Sequence, residues 1–476
     1  MTDELHYLTA TEALLRFREG TLSPVDLLTS IIDRAQSIEP TVNALCYTYF
    51  EAALEQAQEA ADRWKRGGEE ARPLEGIPVA VKADAEIAGQ PFTMGSVPMK
   101  GVIAESTSIM VSRLIDAGAI VHARTAIPEF AGAAITKTRL WGETVNPWNP
   151  KYAVGGSSGG SAAALAAGTA TLATGSDIAG SIRMPASMCG IVGYKPARGT
   201  VPADPPLNLD TYMHMGSMAR TVDDIKLMQG VIAGPDWSDL VSLFPRPEET
   251  PLPVSGLRVA VCKDLGDWPV AAEVRRAVDS SAQTLREAGA YVEEVDLILP
   301  MQKVLRAASL HFSTSLDEFD KYYNEFGEQL TPSLIANVAG HRRRANGGSF
   351  SEMQALEAEL WLAAKAVFEE FDVLLCPTMG TSDILAGLDY AGEDYVEVGG
   401  QKYSDLLEVS LTTPFNLFSA CPVLSVPAGQ SPNGVPLGVQ LAGRPYQESA
   451  IFAAASALED KAKWYASESF RPGSLG

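Results

Sequence analysis

Two widely separated segments contain the same junction between a helix and a strand. Residues 114–121 read L-I-D-A-G-A-I-V, and residues 285–292 read L-R-E-A-G-A-Y-V. In each, a helical stretch ends at a glycine suited to the left-handed position after a helix, and an apolar stretch follows at once. This junction is typical of proteins in which helices cover the faces of a sheet. The chain is therefore predicted to have an α/β fold.

The N-terminal region carries further signals for helices and a strand. Ser23 and Pro24 are a helix cap and a first helical residue, ahead of the apolar-periodic run V-D-L-L-T-S-I-I-D-R-A. Residues 50–66 are rich in helix formers. The run L-E-G-I-P-V-A-V-K at 74–82 turns to β-branched residues after a glycine and a proline, which predicts a short buried strand that ends at Lys82.

Charge and composition exclude several classes of partner. The 476 residues are 46% hydrophobic and 20% charged, as in a globular protein, and carry a formal net charge of −22. An acidic chain repels phosphate backbones and anionic lipids, so we expect no nucleic acid and no membrane as partner. No run of about 18 strongly apolar residues is present. The N-terminus has acidic residues where a signal peptide has basic ones, and the five scattered cysteines form no metal-binding spacing, so a cytoplasmic location is expected.

The run V-G-G-S-S-G-G-S at 154–161 has several possible functions. A flexible linker is disfavoured, because the run is short and leads directly into the helix former S-A-A-A-L-A-A. A phosphate loop is disfavoured as well. Gly155 and Gly160 have the spacing of G-x-x-x-x-G, but Ser161 stands where that motif requires lysine.

A nucleophile elbow is the third possibility, since Ser158 is the central residue of a G-x-S-x-G match. That chemistry requires a histidine later in the chain. His214, His311 and His341 lie downstream, but none has a distinctive sequence context.

A fourth possibility needs no histidine. Ser181 lies in the glycine-containing segment G-S-D-I-A-G-S-I-R-M-P-A at 175–186, and Lys82 ends its apolar strand. A lysine removed from water holds its proton less tightly, so its neutral form is accessible near pH 7. A serine hydroxyl donates and accepts hydrogen bonds at once, so Ser157 could pass a proton between the two. The residues alone leave this arrangement as one hypothesis among the four.

Several ordered motifs together resemble the amidase signature family of amide hydrolases. The motifs are G-I-P-V-A-V-K (76–82), N-P-W (146–148), G-G-S-S-G-G-S-A-A-A (155–164), G-S-D-I-A-G-S-I-R-M-P-A (175–186), C-G-I-V-G-Y-K-P (189–196), G-S-M-A-R-T-V-D-D (216–224), P-F-N-L-F-S-A-C-P-V-L-S-V-P-A-G (414–429) and G-V-P-L-G-V-Q-L-A-G-R-P (434–445). The resemblance covers nearly the whole chain and is weakest at about 235–410.

The resemblance implies a Ser-cisSer-Lys triad. Ser181 matches the nucleophile, Ser157 the bridging serine that follows a cis peptide bond, and Lys82 the base. The implied oxyanion hole consists of the backbone N–H groups of Ile178, Ala179, Gly180 and Ser181. Ser158, Asp177 and Arg183 are implied to support the two loops.

Two departures from the family pattern concern the surroundings of the triad. The family commonly has Asp-Asn after the lysine, whereas this chain has Ala83-Asp84. A supporting acid is therefore lost or moved. The family commonly has Gly-Gly-Ser at the nucleophile turn, whereas this chain has Ala179-Gly180-Ser181. The alanine methyl group is expected to restrict the loop or the space beside the substrate carbonyl.

The resemblance also implies the overall organisation. We expect a single α/β/α domain over residues 1–476, built around a large twisted mixed sheet. Its parts are an N-terminal helical segment (1–70), a core with the triad (74–230), a variable substrate-side region (235–410) and C-terminal core motifs (411–460). No metal or organic cofactor is implied, and a monomer or a homodimer is expected.

The substrate is predicted from candidate pocket residues, all apolar. These are Ala131, Ile135, Leu140, Trp141, Leu207, Leu209, Tyr212, Met213 and Met215. Such a pocket favours small-molecule anilides or aryl carbamates, whose carbonyl carbon is likewise bonded to nitrogen. The basic run His341-Arg342-Arg343-Arg344 is interpreted as a solvated loop or helix end. The alternative function is the glutamine-hydrolysing chain of an amidotransferase complex, although the arginine-containing glutamine-recognition segment of that branch is not found.

Overall fold

The computed structural model describes residues 4–244, 250–313, 316–464 and 471–473. The helices are α1 Ala10–Glu19, α2 Pro24–Val42, α3 Phe50–Lys65, α4 Ile109–Asp116, α5 Gly159–Ala167, α6 Arg183–Cys189, α7 Val222–Ile232, α8 Ala272–Glu287, α9 Met301–Phe312, α10 Leu316–Phe326, α11 Pro332–Ala345, α12 Phe350–Glu370, α13 Pro414–Leu417 and α14 Ser449–Ala462. The strands are β1 Leu45–Thr48, β2 Pro78–Lys82, β3 Ile120–Thr125, β4 Lys137–Thr138, β5 Gly142–Glu143, β6 Leu172–Asp177, β7 Val192–Lys195, β8 His214–Ala219, β9 Arg258–Val261, β10 Tyr291–Glu294, β11 Val373–Pro377, β12 Val396–Val398, β13 Gln401–Tyr403, β14 Val423–Gln430 and β15 Pro436–Gly443.

Eleven of these strands form one mixed sheet in the order β1-β3-β2-β6-β8-β7-β14-β15-β11-β9-β10. Strands β2, β3 and β6 run parallel to one another, as do β9, β10 and β11, whereas the centre of the sheet is antiparallel. The predicted α/β class with a large mixed sheet is confirmed.

Alternation along the strands explains why helices cover both faces of the sheet. In β2, Val79 and Val81 pack into one hydrophobic cluster with α4 and α7, whereas Ala80 packs into another cluster with α5. In β6, Leu172 and Ala173 divide between the same two clusters. Because successive strand residues point to opposite faces, a strand that is apolar at every position needs a layer of helices on each side.

The predicted junctions and caps are confirmed. Gly118 and Gly289 follow α4 and α8 with φ of +91° and +96°, and strands β3 and β10 begin two residues later. These backbone angles favour glycine, because a side chain is strained there. Ser23 Oγ accepts a hydrogen bond from the Val25 N–H at 3.2 Å and caps α2, which begins at Pro24.

Helix α5, which follows the Gly-Ser run, is buried along its whole length. Its alanines pack against α6 and against strands β2, β3, β6 and β8. A helix that is apolar all round must be enclosed by protein, and small side chains let the neighbouring backbones approach closely. The helix thereby fixes the loop before it at the carboxyl ends of β2 and β6.

The residues at the carboxyl ends of β2 and β6 therefore lie together on one side of the sheet. Parallel neighbours end at the same edge, so Lys82 at the end of β2 and Asp177 at the end of β6 are brought to the same side. Within the ranges that the structure describes, no helix combines the length and apolar character that a bilayer span requires.

Candidate active site

Lys82 lies at the centre of a buried polar cluster. Its side chain is 1% exposed, and its Nζ donates hydrogen bonds to Ser157 Oγ at 2.8 Å and to Ser176 Oγ at 2.6 Å. The Asp84 carboxylate lies 3.0 Å from the same nitrogen. Burial lowers the pKa of the Lys82 ammonium below its ordinary value, and the Asp84 carboxylate opposes that shift. The cluster therefore holds a lysine that releases its proton more readily than a solvated one.

Asp84 and Ser176 were missed by the sequence reasoning as partners of this lysine. The Ser176 hydroxyl donates to Asp84 Oδ2 at 2.5 Å, so serine, carboxylate and ammonium form a closed triangle. The question that the Ala83-Asp84 departure raised is thus answered: the acid is moved by one residue, not lost. A signal existed in the sequence, since an acid two residues past a buried lysine is within reach of its side chain.

The glycines on both sides of Ser157 are required by a left-handed backbone and by close packing. Gly155 has φ of +77°. A Cβ on Gly156 would lie 2.8 Å from the carbonyl oxygen of Ala133, and one on Gly159 would lie 2.1 Å from Thr136 Oγ1. The peptide bond between Gly156 and Ser157 is cis, as the resemblance implies. The Gly-Ser run is therefore a tightly packed loop and not a linker.

Ser158 joins this loop to the turn that holds Ser181. Its backbone N–H donates to the Ser181 carbonyl oxygen at 3.0 Å, and its hydroxyl donates to the Ser176 carbonyl oxygen at 3.3 Å. The Ser181 side chain is 7% exposed and faces a cavity. Among the described residues, no hydrogen bond joins the hydroxyls of Ser157 and Ser181. The two serines lie in adjacent loops, which the hydrogen bond from the Ser158 N–H to the Ser181 carbonyl oxygen joins.

The Asp177 carboxylate organises the turn around Ser181. It accepts hydrogen bonds from Arg183 Nε and from the second Arg183 guanidinium nitrogen, both at 2.9 Å, and from the Asn416 amide at 2.9 Å. Both members of the Asp177–Arg183 pair are fully buried, so they are not a surface ion pair. Burial alone would raise the pKa of Asp177, but Arg183 and Asn416 outweigh it and hold that pKa well below its usual range.

One of the predicted oxyanion-hole donors, the Gly180 N–H, has an acceptor within the protein. The Gly180 N–H donates to Asp177 Oδ1 at 2.8 Å, so this donor is already engaged. A Cβ at Gly180 would also lie 1.9 Å from Thr412 Oγ1, so the residue is glycine for packing reasons. By contrast, no described group accepts a hydrogen bond from the N–H of Ile178, Ala179 or Ser181, and these three residues line the cavity.

The cavity beside Ser181 has a volume of about 500 Å³. Its apolar lining residues include Ile135, Ile178, Ala179 and Met184. The lining also comes from α11 and from residues 389–392 and 404–407, which add polar and charged side chains such as His341, Arg343, Asp389 and Asp405. The cavity therefore combines apolar and charged lining residues.

Of the predicted pocket residues, Ala131 and Ile135 are among the described residues that line this cavity. The described residues that line the cavity do not include Leu140, Trp141, Leu207, Leu209, Tyr212, Met213 or Met215.

Three of the predicted residues that do not line the cavity make contacts elsewhere in the protein. Trp141 packs edge-on against Tyr47, with ring centroids 5.8 Å apart. Tyr212 is buried, stacks on the His311 ring at 3.8 Å and donates its hydroxyl hydrogen to Glu357. Met213 packs against the hydrophobic core.

Comparison with known proteins agrees with this architecture. The family model described as Amidase matches residues 26–452. An acylamidase of Rhodococcus erythropolis is 31% identical over 98% of this chain and 98% of that protein. The A chain of the glutamyl-tRNA(Gln) amidotransferase of Thermosynechococcus vestitus is 33% identical over 93% of this chain and 95% of that protein. The crystal structure of a bacterial aryl acylamidase of the amidase signature family superposes with a TM-score of 0.86 at 27% identity, covering 97% of this chain and 98% of the other.

Proposed function

Because the chain belongs to the amidase signature family and is an amide-hydrolysing enzyme, we propose that it cleaves the C–N bond of small amides through an acyl-enzyme on Ser181. One observation carries this proposal. A fully buried lysine with a lowered pKa donates to Ser157 Oγ at 2.8 Å, in the loop next to the serine that faces the cavity. Such a lysine, when neutral, is a suitable base for activating a serine through a second hydroxyl.

In the proposed mechanism, substrate binding brings the hydroxyls of Ser157 and Ser181 together. Hydrogen bonds of this kind are often long before the substrate is bound. Ser157 takes the proton from Ser181 and passes its own to neutral Lys82, while Ser181 Oγ attacks the amide carbonyl carbon. The same path in reverse delivers a proton to the leaving nitrogen, because an amide anion is too basic to leave unaided. Water then hydrolyses the acyl-enzyme.

The negative charge on the tetrahedral intermediate needs hydrogen-bond donors. We assign this role to the N–H groups of Ile178, Ala179 and Ser181, which have no other acceptor among the described residues and border the cavity. Losing one such donor typically raises the barrier by about 2.7–4 kcal/mol. Asp177 contributes indirectly, because it holds the turn that aims these groups.

Anilides and aryl carbamates remain the proposed substrates. Their support is the apolar side chains that line the same cavity as Ser181, namely the predicted Ile135 together with Ile178 and Met184. A carbamate presents the same planar carbonyl carbon bonded to nitrogen, so the same serine could attack it.

The test is turnover combined with covalent labelling. The purified chain is assayed for amine release from an anilide, an aryl carbamate, a short aliphatic amide, an amino-acid amide and glutamine. In parallel, a fluorophosphonate probe is reacted with the protein and the labelled peptide is identified by mass spectrometry. We expect turnover of the anilide or the carbamate and a label on Ser181. Ser181→Ala should take up no label, whereas the matched control Ser158→Ala should still be labelled. A label on Ser158 instead would contradict the assignment.

A pH profile tests the contact between Asp84 and Lys82. The Asp84 carboxylate stabilises the ammonium form and so raises the pKa of Lys82, against the effect of burial. Asp84→Asn removes that charge, so neutral Lys82 forms at lower pH. We therefore expect the acidic limb of kcat/KM against pH to move to lower pH in this variant. Ser176→Ala keeps the charge and should move the limb less, and an unmoved limb in Asp84→Asn would show that Lys82 is not the titrating base.

The second candidate function is glutamine hydrolysis within an amidotransferase complex, favoured by the 33% identity to the A chain of such a complex. The same panel separates the two. A chain of that kind is expected to hydrolyse only glutamine, and weakly, without its partner chains. Efficient turnover of an anilide by the isolated chain would favour the free-standing amidase.

A further inference from the structure

One face of helix α11 supplies polar side chains to the cavity. Ser333, Asn337 and His341 are spaced four residues apart and therefore lie on the same side of the helix. All three line the cavity that Ser181 faces, and Arg343 lines it as well. This helix belongs to the variable region that was expected on the substrate side, although its run at 341–344 was interpreted as a solvated loop or helix end.

These side chains have unfilled hydrogen-bonding capacity. The Ser333 hydroxyl oxygen is buried and has no hydrogen-bond partner among the described residues. His341 is 5% exposed, and its Nδ1 is within hydrogen-bond distance of Ser309 Oγ at 3.0 Å. No described group forms a hydrogen bond with its Nε2. Burial lowers the pKa of His341 to about 4, so the ring is neutral at pH 7. Because buried polar atoms are nearly always hydrogen-bonded, open ones beside a cavity point to a ligand.

Arg343 adds the one uncompensated charge among the described cavity residues. Asp389 lies 2.9 Å from Lys137, and Asp405 lies 2.6 Å from Arg344, which also lies 3.5 Å from Glu408, so each of these acids has a cationic partner. No described group forms an ion pair or a hydrogen bond with the Arg343 guanidinium.

We propose that α11 recognises a carboxylate on the substrate through the Arg343 guanidinium and the open hydrogen-bonding groups of Ser333 and His341. The proposal rests on the proposed amide hydrolysis at Ser181 and names its substrate class, an amide that carries a carboxylate away from the scissile bond. A single guanidinium beside a neutral histidine matches one negative charge, and its planar fork fits a carboxylate in two-point contact. A dianionic phosphate would leave a charge unmatched.

The experiment compares matched substrates that differ only in the anion. Succinyl, glutaryl and adipoyl mono-4-nitroanilides are paired with 4-methylpentanoyl, 5-methylhexanoyl and 6-methylheptanoyl 4-nitroanilides, in which an isopropyl group replaces the carboxylate. A further pair, 4-acetamidobenzoate and 4-isopropylacetanilide, places the anion on the amine side. The measured quantity is the ratio of kcat/KM within each pair.

We expect the wild-type enzyme to prefer the carboxylate in at least one pair by about tenfold, mainly through KM, and this preference to weaken at high salt. Arg343→Gln should abolish the preference, and Arg343→Lys should restore part of it. Arg342→Gln is the matched control, because Arg342 is on the same helix but pairs with Asp320 and is not among the residues that line the cavity. Its ratio should equal that of the wild type.

Binding measurements separate failure of this inference from failure of the proposed function. Calorimetry measures binding of the preferred carboxylate-bearing substrate to Ser181→Ala and to Ser181→Ala/Arg343→Gln. If none of the four carboxylate-bearing substrates is turned over, the binding of all four is measured. Binding that needs Arg343 without any Ser181-dependent turnover would support the inference and refute the mechanism. Turnover that needs Ser181 with no carboxylate preference in any pair, or with a preference unchanged in Arg343→Gln, would refute the inference and leave the mechanism standing.

Discussion

Lys82→Met is expected to lower kcat for amide cleavage by about 10²–10⁴-fold, the usual contribution of a positioned general base. Methionine has nearly the shape of lysine without its nitrogen, so packing in this fully buried position is retained. The proton of Ser157 then has no acceptor, because Lys82 Nζ is the group that contacts its hydroxyl, at 2.8 Å. The measurement is steady-state turnover of the best substrate in the panel at its optimal pH.

Two companion variants separate loss of the base from loss of structure. Lys82→Met leaves the nearby Asp84 carboxylate without its cation, which lies 3.0 Å away in the wild type. Lys82→Met/Asp84→Asn removes both charges and should unfold at a midpoint close to that of the wild type, yet remain as inactive as the single variant. Ser158→Ala removes a buried hydroxyl that bonds only a backbone carbonyl, so we expect a loss below about tenfold. Residual activity above a tenth of the wild-type value in Lys82→Met would point to a different base.

The sequence predicted the elements that depend on local chemistry. The glycines after α4 and α8, the cap at Ser23 and the strand that ends at Lys82 follow from neighbouring residues, and the structure contains each of them. The position of Lys82 beside the Gly-Ser loop follows in turn from the parallel pairing of β2 with β6. Adjacent parallel strands end at the same edge, which makes the meeting of distant motifs predictable.

The substrate cavity could not be predicted in the same way. Part of its wall comes from α11 and from residues 389–392 and 404–407, which are far in sequence from Ser181 and carry no recognisable motif. The apolar residues chosen instead, such as Trp141 and Tyr212, are equally suited to a core, and their rings contact Tyr47 and His311. An apolar side chain does not reveal from sequence whether it faces a core or a ligand.

The hydrogen bond of the Gly180 N–H was missed for a different reason. Asp177 precedes Gly180 by three residues, a spacing at which an aspartate side chain commonly accepts a hydrogen bond from the backbone of its own turn. The structure contains this bond at 2.8 Å, and it removes the Gly180 N–H from the set of free donors. The signal was therefore present in the sequence, but the resemblance assigned the whole turn to one function.

Arg183→Met is expected to destabilise the protein by about 3–5 kcal/mol, because it leaves the Asp177 carboxylate buried and without its cation. Arg183 also donates to the Thr412 carbonyl oxygen at 2.9 Å, to Gln440 Oε1 at 3.1 Å and to Asn416 Oδ1 at 2.7 Å, and these acceptors lose their donor as well. We expect a lower midpoint of urea-induced unfolding, measured at pH 7.

The double variant Asp177→Asn/Arg183→Met identifies the cause of the loss. If the unpaired charge dominates, neutralising Asp177 as well should recover part of the lost stability, so the double variant should be more stable than Arg183→Met alone. If the hydrogen bonds from Arg183 to Thr412, Asn416 and Gln440 account for most of the lost stability, the double variant should be at least as unstable as the single one.

The activity of the double variant tests the role of the turn around Ser181. Asp177 holds the N–H groups of Gly180 and Ile182 on either side of Ser181, so a folded double variant should still lose kcat if this network positions the nucleophile.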